Sequence, residues 1–199
     1  MTEHTTTHPP VALGGNPLWQ SGYMLPLEYL LTAILLGFSA VVVEATLVSV
    51  GFKRPLETPL LTKLAKLMWG VLLVYLAVRI GGLVQRGAIG NATHYSSENL
   101  AFWIEMMSFL LPLLILARPS DRRNPGKLFG AAVLLILGGF MLRVNGYLVG
   151  FHNGEGWHYF PALPELTLTI GLIAFELLAY IVLVKFLPVL PALPKQTSR

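Results

Sequence analysis

Five apolar runs constrain this chain more than any other feature of it. They span about Leu25–Val50, Leu64–Val84, Ser97–Ala117, Leu128–Val149 and Pro164–Phe186. A helix needs roughly 20 apolar residues to cross the hydrocarbon of a bilayer. In lipid every backbone N–H and C=O must be satisfied within the protein, which leaves helices and closed barrels as spanning structures. Runs of this length predict an all-α fold, an integral membrane bundle of five transmembrane helices. Local signals agree. Pro26 and Pro164 sit in first turns, where a missing N–H costs little. Ser97 is placed to cap the third helix, Pro119 to stop it, and Pro188 with Pro191 to stop the fifth. Pro112 falls inside the third helix and is expected to kink it, freeing the Ser108 carbonyl.

Charge supports the same class. Only 12% of the residues are charged, against about 25% in soluble domains. The net charge of +4 does not point to nucleic acid, because of where the basic residues fall. Lys53, Arg54, Lys63, Lys66, Arg118, Arg122, Arg123, Lys127, Lys185, Lys195 and Arg199 all lie on one side of the spans, taking Lys63 and Lys66 as part of the first loop. The other side has Arg86, and Arg79 with Arg143 lie within spans. The positive-inside rule then sets an extracytoplasmic N-terminus and a cytoplasmic C-terminus. The expected organisation is a polar, flexible extracytoplasmic leader over 1–22, the bundle over 23–187 and a cytoplasmic tail over 188–199. The leader lacks a basic region followed by an apolar one, so it does not read as a signal peptide. No cysteine is present, which excludes a thiolate-held iron–sulfur cluster, a disulfide and a cysteine nucleophile in this sequence.

Ionisable residues inside spans are costly and usually face the bundle interior. Here they are Glu28, Glu44, Arg79, Glu105, Arg143 and Glu176. At about 1.5 Å per residue, Arg79, Glu105 and Arg143 all fall roughly 9–12 Å below the outer boundary. Glu176 lies near the midplane and Glu44 nearer the cytoplasm. Two readings stand. One is a structural ion cluster in which Glu105 neutralises Arg79 or Arg143. The other is a polar track that carries protons or lines a quinone headgroup site, continued inward by Glu176 and Glu44.

All five histidines, His4, His8, His94, His152 and His158, lie outside the spans. A haem held between helices needs axial ligands that project into the bundle, so no haem ligation is expected. The last outer loop carries His152, Trp157, His158 and Tyr159, followed by Glu165 in the first turn of the fifth helix. It reads either as an interfacial aromatic belt or as a surface contacting quinone or a partner. No metal-spaced pair of ligands, glycine-framed serine or phosphate-binding loop is present, so no catalytic residue or metal site is assigned and a soluble hydrolase is excluded.

Several short motifs are familiar. Asn16-Pro17-Leu18-Trp19 precedes Leu25-Pro26 and a helix containing Gly37 and Glu44. Further on come Arg143-x-Asn145, Gly150, Tyr159-Phe160-Pro161, Glu165, Thr169-x-Gly171 and Pro188-Val189-Leu190-Pro191. This ordered set resembles the NrfD/HybB-type membrane subunits of the polysulfide reductase family. It is most similar to the C-terminal half of the quinone-linked subunit of periplasmic nickel–iron hydrogenases. The resemblance implies a haem-free subunit of a respiratory complex in the bacterial inner membrane. Such a subunit passes electrons between a periplasmic iron–sulfur protein with hydrogenase-like catalytic subunits and the quinone or menaquinone pool. Such subunits have about ten spans; five here imply a second membrane chain supplying the first half. The family's better-characterised quinone site lies in that first half, so no quinone ligand is carried over. Arg143, Asn145, Glu165, Glu44, Arg79 and Glu105 match the polar pattern of the second half. A non-catalytic anchor, or a proton- or ion-translocating module, are the alternative functions.

Overall fold

The computed structural model describes residues 16–19, 21–51, 57–93, 97–150 and 161–186. Five helices among them are long and apolar enough to cross a membrane, and no strand is present among the described residues. They are α1 (Leu25–Gly51), α2 (Thr58–Gln85), α3 (Ser97–Ala117), α5 (Pro125–Leu148) and α6 (Leu163–Phe186); a four-residue turn of helix, α4 (Pro119–Arg122), links α3 to α5. The chain divides into two units, Met1–Trp157 and His158–Arg199.

In the first unit α1, α2, α3 and α5 close a ring, with α1 beside α2 and α5, and α3 beside α5 and α2. The ring encloses an apolar core in which Leu35, Met68, Leu72, Tyr75, Phe109, Leu135 and Leu142 are buried. Tyr75 and Phe109 stack with centroids 4.7 Å apart. Lipid tails are as apolar as leucine, so the helices associate by close packing rather than by a hydrophobic drive. Gly139 shows how close: a Cβ there would lie 2.8 Å from Leu36 Cγ on α1. Glycine at this position lets the two backbones approach.

Helix ends are set locally. Asn124 caps α5, its Oδ1 accepting from Gly126 N at 3.0 Å and Lys127 N at 3.2 Å. Arg122 donates to the terminal carbonyls of α3, Leu116 O and Ala117 O, and its guanidinium lies over the Trp69 ring. A cation at a helix C-terminus also opposes the helix dipole. Gly87 follows α2 with φ +63°, a left-handed conformation that glycine adopts without strain and that ends a helix.

One sequence expectation changes, and the bounds of α3 agree with the sequence reading. α2 starts at Thr58 rather than Leu64, because the helix continues below its apolar stretch with Pro59 in its first turn; Lys63 and Lys66 are therefore helical, not loop, residues. α3 begins at Ser97 itself and includes Pro112 within its span.

The second unit contains α6. Glu165 Oε2 accepts from Ala162 N at 3.2 Å, closing its first turn. Thr167 and Thr169 hydroxyls donate to the carbonyls of Leu163 and Glu165 one turn earlier, which satisfies polar groups in an apolar helix.

Candidate functional site

The buried charges of the first unit converge at one end of the ring. Glu28 lies near the start of α1, Arg79 near the end of α2, Glu105 near the start of α3 and Asn145 near the end of α5. Up-and-down connectivity brings those four ends to one level. Arg79 Nη1 is 2.9 Å from Glu28 Oε2, and Arg79 Nη2 is 3.2 Å from Glu105 Oε1; all three side chains are fully buried. Arg79 Nη1 also donates to Ser21 Oγ at 3.3 Å.

Glu105 is the most satisfied member. Its Oε1 accepts from Arg79, and its Oε2 from Trp19 Nε1 at 2.8 Å and Asn145 Nδ2 at 3.0 Å. Glu28 is met on one side only: its Oε1 and Arg79 Nε are buried without a hydrogen-bond partner among the described residues. The cluster thus has two carboxyls for one guanidinium, and the two carboxyls differ in hydrogen bonding.

A strap covers it. Leu18, Trp19 and Ser21 are buried, Asn16 N donates to Gly150 O at 3.2 Å, and the Trp19 ring meets Phe102 edge-on at 6.0 Å. A Cβ at Gly150 would lie 3.0 Å from Trp19 Cβ, so only glycine leaves room for the indole. These residues fall in the segment that sequence reading assigned to a polar leader.

Of the residues singled out in the sequence, the structure brings together Arg79, Glu105 and Asn145. Arg143 is not in the ion cluster. Its Nη1 donates to Gly139 O at 2.8 Å and its guanidinium lies over the Tyr29 ring at 5.8 Å. Glu44 is exposed on α1, away from the cluster. Glu176 and Glu165 belong to α6 in the second unit. His152, Trp157, His158 and Tyr159 lie outside the described residues. Glu28, Trp19 and Ser21 complete the site and were not assigned to it from sequence. Glu28 shares the outer level with Arg79, which is a usable signal; Trp19 and Ser21 precede the first span and carry none.

No protein-family model matches the chain, and no solved structure matches it. Over 180 residues it is 39% identical to a protein of Escherichia coli (strain K12) described as "Probable Ni/Fe-hydrogenase 2 b-type cytochrome subunit", covering 89% of this chain and 46% of that protein. Over 187 residues it is 25% identical to a protein of Nitratidesulfovibrio vulgaris (strain Hildenborough), covering 88% of this chain and 47% of that protein. The chain spans about half the length of the curated relatives it matches.

These findings correct two expectations. The attribution to NrfD/HybB-type subunits, read from short motifs, is replaced by similarity to a hydrogenase-2 b-type cytochrome subunit, without a matching family model. The same description overturns the expectation that no haem is ligated. All five histidines, the residues able to supply imidazole ligands, lie outside the described residues.

Proposed function

We propose that this chain is a multi-pass membrane subunit of a bacterial hydrogenase complex. It passes electrons between a periplasmic hydrogenase or iron–sulfur partner and the quinone pool. The observation that carries this is 39% identity, over 89% of the chain, to a protein described as a hydrogenase b-type cytochrome subunit. Five helices long and apolar enough to span a membrane support the placement. Hydrogenase catalytic subunits and an iron–sulfur protein are the proposed partners. The test is purification of the tagged chain from mild detergent. Hydrogenase subunits and hydrogen-dependent quinone reduction should accompany it. Recovery of the chain alone, with that activity unaffected by its deletion, would overturn the proposal.

In this role the buried cluster exchanges a proton. With both carboxyls ionised it would hold a net negative charge in a medium that strongly penalises one. One added proton balances it. Glu105 is fully engaged as an acceptor, whereas Glu28 has an oxygen without a partner among the described residues, so Glu28 is the member with an acceptor site open to a further donor. The competing reading is a scaffold in which the cluster only joins helices, and its complete burial favours that. Glu28→Gln separates the two. A proton path through the cluster predicts normal assembly and impaired proton-coupled turnover in this variant. Unchanged turnover with normal assembly leaves the scaffold.

A further inference from the structure

A groove of about 470 Å³ lies between α1 and α2, running along α2 from the level of Val74 to Lys63, which is about 24 Å from Arg79 by helical rise. Leu31, Lys63, Lys66, Leu67, Gly70, Val71 and Val74 line it. All but Leu31 lie on one face of α2, at spacings of three and four residues. Gly70 opens the middle, since a Cβ there would meet no atom within 4 Å. The groove is apolar along its length and basic at its cytoplasmic end.

Some of the cationic side chains of that end are engaged within the protein, while Arg118 and Arg123, like the two lysines, make no ion pair among the described residues. Lys127 is 2.6 Å from Asp121, and Arg122 is held by the Trp69 ring and two carbonyls. Lys63 and Lys66 make no ion pair among the described residues, and both are exposed. Two neighbouring ammonium groups repel, and an anion between them relieves that repulsion. From Lys63 to Val74 the face runs about 16 Å, which is about half of the ~30 Å hydrocarbon core and hence the reach of one leaflet.

We infer that this groove binds an anionic phospholipid of the cytoplasmic leaflet, with its phosphate between Lys63 and Lys66 and one acyl chain lying over Gly70 toward Val74. A zwitterionic lipid brings a cation that the lysines repel. A quinone brings a tail that suits the groove but a neutral head that leaves both ammonium groups unanswered. Basic pockets between helices on the cytoplasmic side are suited to anionic headgroups, each lysine contributing roughly a fivefold gain in binding. The inference does not depend on the electron-transfer reading.

The test is native mass spectrometry of the full chain in detergent, titrated separately with phosphatidylglycerol and phosphatidylcholine of matched acyl chains. Wild-type protein should retain phosphatidylglycerol at least tenfold more tightly. K63Q/K66Q should weaken that binding about thirtyfold and remove the preference. Gly70→Leu should weaken both lipids by filling the groove. K127Q, whose lysine already has a partner, should change little. Inorganic phosphate should not displace the lipid. Equal retention of the two lipids by wild type overturns the inference, and that comparison needs no variant to fold. Unchanged binding in K63Q/K66Q, or displacement by ubiquinone, overturns it as well.

Discussion

Arg79 is the residue whose removal should cost the most. Taking one partner from a buried ion cluster leaves uncompensated charge, at about 3–5 kcal/mol. Arg79→Met should therefore lower the thermal unfolding midpoint in detergent substantially, with Glu28 and Glu105 left facing each other. Neutralising both carboxyls in the same chain, as R79M/E28Q/E105Q, should recover most of that loss, because the penalty belongs to the unpaired charges. Trp19→Phe keeps the ring against Phe102 but deletes a 2.8 Å bond to Glu105. It should cost about 1–3 kcal/mol, measured in the same scan. Helical rise set Arg79, Glu105 and Arg143 level in the sequence and left open which arginine Glu105 meets; the structure pairs it with Arg79. Arg143 was placed at the same depth, yet depth says nothing of rotation about the helix axis, and the structure turns it onto Tyr29. Trp19 was not legible: a short polar segment folding back into a bundle has no periodicity to reveal it.

Among the elements, α5 depends most on small residues. Gly139 and Gly146 are seven apart on one face, and a Cβ at either would crowd α1: Leu36 Cγ at 2.8 Å and Tyr29 OH at 2.6 Å. Gly139→Ala should destabilise by about 1–3 kcal/mol through overpacking, and Leu36→Ala in the same chain should restore part of it. Recovery of nothing in the double variant would mean that the crowding is not with Leu36. The apolar runs located all five spanning helices in the sequence, because in lipid length and apolarity decide the element. The start of α2 was missed for a related reason. Lys63 and Lys66 interrupt the run, although a helix can extend beyond the hydrocarbon while its lysines reach to the interface.

At the scale of the whole molecule, orientation follows from basic residues rather than from packing. The chain has no cysteine, so single cysteines report sidedness without a background. Gly90→Cys, beyond α2, should react with a membrane-impermeant thiol reagent in intact cells. Ser120→Cys, in α4, should react only after the membrane is opened; both positions are exposed. The reverse pattern would invert the orientation. The ring also has a temporal consequence. A ribosome delivers α1 and α2 ahead of α3, so Arg79 reaches the bilayer before Glu105 does. Glu28, 2.9 Å from that guanidinium in the finished fold, is already in place on the preceding helix. Biogenesis thus has a counter-ion in hand for its most hazardous step, and the buried cation can be paired within the first hairpin. The carboxylate from α3 then arrives as a second anion for a cation that no longer needs one.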